Sequence, residues 1–417
     1  MIDLAARPDH RPWQDPASYW TAVDRATAEL DPPVAVGHLG ALRHNLHDLI
    51  TRAACKPIRI ASKSLRVRGL IEAATEVPGV RGVLAYTLAE ALWLSETMDD
   101  LVLGYPTADR GAVADLCADE AAAERVTIMV DDPAQLDLVD AVAAPDRRPV
   151  IKVCIELDAS LELGGQHLGS YRSPLHNPEE VAALARQITA RKGFRLAGLM
   201  AYEGQIAGVG DVVPGNPIKS GVVRAMQRRS AAELAERRTR AVTTVRSVLE
   251  LAGADDLEFV NGGGTGSIET TAADRSVTEI AAGSGIFGPH LFDNYRAFTP
   301  APAVAFALPV VRKPRPDIAT VLGGGWIASG PPGLDRLPRP VWPPGLGYIG
   351  TEAAGEVQTP MRGRRAAGLK IGDRVWFRHT KAGELSEHVD ELVLLDGDDP
   401  VITGRTSTYR GEGRSFL

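Results

Sequence analysis

Cysteine is nearly absent from this chain, with three residues in 417, at Cys55, Cys117 and Cys154. Their number is odd and their spacing fits no disulfide or metal framework, so they read as reduced, mostly buried thiols. Aromatic residues make up only 5% of the chain. No segment reaches the roughly eighteen uninterrupted apolar residues of a membrane span. Basic charge is not in excess either: 46 Lys and Arg face 53 Asp and Glu, a net charge of -7. That balance gives no reason to expect nucleic acid or a membrane surface as partner. The densest basic patch (Arg228, Arg229, Arg237, Arg238, Arg240) reads as a solvated helix face. The start, Met1-Ile2-Asp3-Leu4, has no signal-peptide profile, so a cytoplasmic protein is expected. Only nine histidines occur, few of them at strand ends, which argues against a metal-dependent barrel hydrolase. No Gly-x-Gly-x-x-Gly directly follows the first strand, which argues against dinucleotide binding.

What the chain does contain, from about Pro33 to Tyr295, is an alternation of β-like and helix-like segments. The β-like runs are Val34–Val36, Ile58–Ala61, Gly82–Tyr86, Leu101–Gly104, Val126–Val130, Val150–Leu157, Leu196–Tyr202, Leu257–Val260 and Glu279–Ala282. Most are short and rich in Val, Ile or Leu, as expected of parallel strands buried on both faces. Helical periodicity lies between them at Leu39–Arg52, Leu88–Glu96, Pro133–Val142, Pro178–Ala190 and Ser220–Ala252. With Val34–Val36 set aside, eight strands remain, each tied to the next by a helix. The predicted fold is therefore α/β, a closed (β/α)8 TIM-type barrel rather than an open sheet.

After Arg296 the texture changes. Prolines interrupt the chain at 300, 302, 309, 314 and 316 and through Pro331–Pro344. Short β-like runs appear at Ile318–Leu322, Gly355–Gln358, Arg374–Arg378 and Glu391–Leu395, which predicts a smaller, mainly β domain. The expected division is an N-terminal extension over 1–32, a barrel over 33–295 and the β domain over 296–417. The extension, with Trp13, Tyr19 and Trp20, could pack on either domain.

Two features carry chemistry. Lys63 ends the run Ile58-Arg59-Ile60-Ala61-Ser62-Lys63, at the mouth of a βα unit, where an amine can form a Schiff base with an aldehyde cofactor. The bland alternative is a surface lysine. Gly262-Gly263-Gly264-Thr265-Gly266 follows the seventh barrel strand and Gly283-Ser284-Gly285 the eighth. Glycines there let backbone N–H groups approach a phosphate.

Lysine near the first barrel strand, glycine cradle after the seventh and a trailing β domain together resemble the fold-type III pyridoxal-phosphate enzymes. That family includes alanine racemase, D-threonine aldolase and D-serine dehydratase, and the aldolase and dehydratase branch is the closer match. Arg59-Ile60-Ala61-Ser62-Lys63 is similar to that branch's Arg-Pro-x-x-Lys-Thr, with the cofactor-holding lysine and an arginine four residues before it. Gly198–Gly204, which includes Tyr202 and Glu203, resembles its sixth-strand segment. Gly262–Gly266 resembles its phosphate loop, and Gly324-Gly325-Trp326 and Gly372–Val375 resemble motifs of its second domain. Two departures stand out. Where the branch carries His-x-Cys or His-x-Asp as metal ligands, this chain has His379-Thr380-Lys381, with Glu384 and His388 the nearest further ligands. Either His379 finds another ligand, or Lys381 supplies positive charge without a metal. The family's cofactor-tuning arginine near Leu163 is also missing; Arg172 is the residue nearby that could substitute.

The resemblance implies a pyridoxal 5'-phosphate lyase acting on a β-hydroxy amino acid, of D configuration, by aldol cleavage or dehydration. Lys63, Glu203, His379 and Lys381 are its candidate catalytic residues. Arg59, Tyr202, Gly263, Gly264, Thr265, Gly266, Gly283 and Ser284 would line the cofactor, and His379 and Glu384 would hold any divalent metal. The partner is a small amino acid, and a homodimer is implied. A racemase, with Tyr348 or Tyr409 as second acid/base, and a non-catalytic cofactor-binding protein are the alternatives.

Overall fold

The computed structural model describes residues 2–331, 333–381 and 383–417, so Met1, Pro332 of the proline-rich stretch and Ala382 of the His379–Glu384 segment lie outside it. The chain forms two compact units. One is built from the chain through Asp48 together with Lys63–Ala74 and Ser284–Ser415; the other comprises Leu49–Ser62, Thr75–Gly283 and Phe416–Leu417.

The first strand, β1 (Val34–His38), precedes the barrel in the chain. The barrel strands are β2 (Ile58–Ala61), β3 (Val80–Ala85), β4 (Leu101–Leu103), β5 (Val126–Val130) and β6 (Ile151–Glu156). A surface hairpin, β7 (Leu161–Leu163) with β8 (Gln166–Leu168), interrupts the series before β9 (Phe194–Ala201), β10 (Phe259–Gly262) and β11 (Glu279–Ala282). The order β2-β3-β4-β5-β6-β9-β10-β11 closes on itself, with β11 paired to β2. Every one of these pairings is parallel, so the connections must be crossovers, and helices supply them. Sequence signals set their ends. Asp132 accepts from the Ala134 N–H and Pro133 occupies the first turn of helix Pro133–Val142. Asn216 accepts from Lys219 to open helix Pro217–Ala252, and Gly253, at φ +63°, closes it. The barrel interior is filled rather than hollow: Val102, Met129, Cys154, Ala197, Met200 and Phe259 form one buried cluster.

Among the described residues the other unit holds a nine-stranded sheet. Its later strands are β12 (Val304–Arg315), β13 (Ile318–Leu322), β14 (Arg339–Trp342), β15 (Gly347–Tyr348), β16 (Gln358–Arg362), β17 (Arg374–Arg378), β18 (Glu391–Asp396) and β19 (Val401–Ser407). β1 joins this sheet, antiparallel to β12 and parallel to β18. The N-terminal extension packs here as well. Tyr19, Trp20 and Val23 of helix Pro16–Ala26 bury against Val34, Val36, Ala305, Trp376 and Val393. Each such side chain contributes roughly 1.5–3 kcal/mol by leaving water. Trp376 Nε1 donates to Asp24 at 2.9 Å, which satisfies the one polar atom that burial would strand. Among the described residues no helix is long and apolar enough to cross a membrane.

Candidate active site

Barrel chemistry sits at the C-terminal ends of the strands, and in the barrel unit two constellations form there. The first holds the glycine loop after β10. Gly263 has φ +84°, and a Cβ on it would lie 2.9 Å from Ile280 Cγ2; one on Gly283 would lie 2.5 Å from the Ala61 carbonyl. Both loops therefore run where only glycine fits. Glu203, just past β9, accepts from the Gly263 N–H at 3.0 Å, from Ser267 at 3.3 Å and from the Thr271 hydroxyl. Arg238, from the long helix, reaches Glu203 at 3.2 Å and Asp274 at 2.7 Å. Arg52 donates to the Thr265 carbonyl at 2.8 Å and pairs with Glu269. The Tyr202 ring packs 3.2 Å from where a Gly264 Cβ would stand. Glu203 is thus the anchor of the glycine loop, each oxygen already bonded.

This network corrects one reading of the sequence. Arg237 and Arg238, expected on a solvated face, are 4% and 3% exposed. They share the buried stripe of Leu234, Ala241, Val242 and Val245, and that spacing was the available signal.

The second constellation surrounds Arg172. Its guanidinium lies over the Tyr105 ring (5.0 Å) and the Tyr202 ring (4.5 Å) and reaches Glu156, the last residue of β6, at 3.3 Å. Burial pushes the Glu156 carboxyl up to about 7, although Arg172 opposes the shift. Burial likewise raises the Tyr202 phenol.

Arg59 is not at this mouth. Wholly buried, it forks onto Glu279 (2.6 and 2.9 Å) and reaches the Asp100 carbonyl at 2.8 Å and carboxylate at 2.9 Å. Asn261 also donates to Glu279, at 2.9 Å. Asp100 immediately precedes β4, so this arginine points toward the N-terminal ends of the strands, where residues serve stability. Burial alone would lower its pKa, but Glu279 and Asp100 outweigh that and hold it above the ordinary value.

Lys63 belongs to the other unit, on the turn Ser62–Ser64, two residues after β2 ends. That unit also contains Ser284, His379, Lys381 and Glu384. The segment after Lys381 grips the Lys63 turn: Ser386 donates to the Leu65 carbonyl at 2.6 Å, and Glu387 pairs with Arg66 at 2.8 Å. A Cβ on Gly383 would come within 2.6 Å of the Lys63 carbonyl. Gly383→Ala is therefore expected to shift Lys63. The clash should destabilise the protein by about 1–3 kcal/mol, read as a lower urea-unfolding midpoint.

His379 is 2% exposed. Burial, with the Arg378 charge beside it, lowers its pKa to about 3. His290 Nε2 donates to the Leu337 carbonyl at 2.9 Å and lies 3.0 Å from the Thr380 hydroxyl, and burial takes its pKa to about 4. Glu384 accepts from the Ser329 N–H at 3.3 Å. No three His, Cys, Asp or Glu side chains converge among the described residues. Both histidines are neutral in the fold and titrate near 6.5 when unfolded. Their contribution to stability is complete above pH 6.5 and is lost as pH falls toward 4 and 3. Urea midpoints should accordingly drop between pH 7 and pH 5, and less steeply in His379→Gln; an equal drop in the variant would contradict this.

The architecture is a closed parallel barrel with glycine loops after its seventh and eighth strands. The chain belongs to the family of the alanine racemase N-terminal domain, whose model matches residues 37–290. A D-threonine aldolase from Arthrobacter sp. is 25% identical over 326 residues, which cover 74% of this chain and 76% of that protein. The crystal structure of D-threonine aldolase from Filomicrobium marinum superposes with a TM-score of 0.73 at 18% identity, over 92% of this chain and 96% of that one. D-threo-3-hydroxyaspartate dehydratase from Delftia sp. HT23 gives 0.68 at 18% identity, over 91% and 97%. The resemblance in the sequence to the fold-type III enzymes is thereby established.

Proposed function

We propose that this chain is a pyridoxal-phosphate-dependent lyase acting on a β-hydroxy amino acid of D configuration, by aldol cleavage or by dehydration and deamination. The observation that carries the reading is the glycine cradle after β10, shaped by close backbone approach and pinned by Glu203, in a barrel whose first strand leads directly to Lys63. Its residues fit a phosphorylated pyridine aldehyde. Backbone groups of Thr265, Gly266, Gly283 and Ser284 would hold the phosphate, with Gly263 and Gly264 shaping the loop through their bonds to Glu203 and Ser267. Tyr202 would help hold the ring, and the Lys63 amine would take the aldehyde. When bound, the cofactor accepts the electron density left at Cα. The chain supplies the rest. The Lys63 amine moves the proton at Cα. Glu203 shapes the phosphate loop and is not the base. Lys381 supplies positive charge toward the β-oxygen, and no step is assigned to a metal. A homodimer in the cytoplasm completes the proposal.

A racemase needs a second acid/base opposite the lysine. Tyr348 donates to the Pro338 carbonyl, and burial raises its pKa far above the usual range, which makes it a poor proton carrier. The test is spectroscopic and chemical. The purified protein should absorb near ~420 nm, the band of a lysine-held cofactor, and Lys63→Ala should lose it. With D-threonine, D-serine and L-alanine, glycine plus aldehyde marks an aldolase, keto acid plus ammonia a dehydratase, and the enantiomer a racemase. An unchanged spectrum in Lys63→Ala would sink the proposal.

A further inference from the structure

Arg172 is placed as a recognition residue is placed, and the ion pair it makes does not account for it. It lies on the connection after β8, yet that connection is fastened to the end of β6: Ser173 Oγ donates to the Glu156 carbonyl at 2.6 Å, and the Asp158 N–H to the Leu175 carbonyl at 2.9 Å. Two tyrosine rings fix the plane of its guanidinium. Structural arginine–carboxylate pairs are commonly bidentate, with bonds of about 2.7–2.9 Å; here one nitrogen reaches one oxygen at 3.3 Å. The remaining N–H groups of a five-donor fork have no protein acceptor among the described residues. The side chain is 22% exposed, while that of Glu156 is 3% exposed. Solvent and solutes therefore reach the arginine and not the carboxylate behind it. Tyr105, Glu156 and Tyr202 all stand at or just past the C-terminal ends of barrel strands, so the open side of the fork belongs to the reactive end of the barrel.

We propose that Arg172 is the carboxylate-recognition residue of this chain, taking a substrate carboxylate on its unused N–H groups between Tyr105 and Tyr202. The inference rests on the reading of the protein as an amino-acid enzyme. A planar carboxylate matches the fork, and the rings prevent the guanidinium from swinging away. A bound anion competes with Glu156 for Arg172. Glu156 also faces Asp131 and Asp158, and it already holds a proton near neutrality, so it takes up a further fraction of a proton as the ligand arrives. Two sources of the carboxylate exist: the α-carboxylate common to all amino acids, or a second one on the side chain.

Calorimetry of malonate binding to the holoenzyme at pH 7, in two buffers of different ionisation heat, reads affinity and proton uptake together. Binding with net proton uptake is expected, weakened at least tenfold in Arg172→Met and partly restored in Arg172→Lys. Kinetics on D-threonine and on a 3-hydroxyaspartate then separate the sources. A KM raised for both by Arg172→Met, with kcat changed less, identifies the α-carboxylate; a KM raised only for the dicarboxylate identifies the side-chain one. Malonate affinity and both KM values unchanged in Arg172→Met would overturn the proposal. If no amino acid is turned over, the functional reading fails, while the malonate titration still decides on Arg172.

Discussion

Replacing Arg59 with methionine is expected to destabilise the protein by about 3–5 kcal/mol, the usual cost of removing one partner from a buried ion pair. The arginine and Glu279 are both fully buried and joined by two short bonds. Truncating Arg59 leaves the Glu279 carboxylate in the barrel interior with Asn261 at 2.9 Å and Arg81 at 3.8 Å as its remaining partners. Removing both charges is a different experiment. In Arg59→Met with Glu279→Leu no charge is stranded, so most of the lost stability should return, to within about 1–2 kcal/mol of the parent. Urea unfolding followed by circular dichroism measures both. A double variant no better than the single one would mean that packing, rather than the stranded charge, sets the cost.

The second large effect concerns Glu203. If it anchors the glycine loop, Glu203→Gln should weaken cofactor binding about tenfold and Glu203→Ala about a hundredfold. One and two lost buried hydrogen bonds of roughly 1.4 kcal/mol each give those factors. In the alanine variant the Gly263 N–H and one side of Arg238 lose their acceptor. Fluorescence titration of the cofactor-stripped protein gives the dissociation constants. A proton-transferring Glu203 would behave otherwise: Glu203→Gln would keep its cofactor affinity and lose kcat.

The barrel was legible because its signals are local. Ile58–Ala61, Val126–Val130 and Glu279–Ala282 are strands with the bounds their composition predicts, and Pro133–Val142 and Pro178–Ala190 are helices with theirs. β12 was not legible, since Pro309 and Pro314 fall inside it. The ladder tolerates Pro309 because the strand changes neighbours there, pairing with β17 through Pro309 and with β13 from Val310. The Gly355–Gln358 run contributes only its last residue to β16, which continues to Arg362. Within the site, the glycine loops were readable because backbone approach demands one residue type. What fastens them was not readable. Arg238 and Glu203 are 35 residues apart, and Arg172 and Glu156 meet across a hairpin, so no spacing in the chain announces either pair. Arg59 was misplaced for the same reason: its position four residues before Lys63 is fixed, but the direction of its side chain depends on Glu279, 220 residues away.

The central claim is that Lys63 holds the cofactor. Borohydride reduction of the purified protein, followed by proteolysis and mass spectrometry, tests it most directly, because reduction makes the lysine linkage permanent. The account predicts a phosphopyridoxyl group on the peptide containing Lys63 and on no other. The same group on a different lysine, or on none in a protein carrying the ~420 nm band of a lysine-held cofactor, would contradict it.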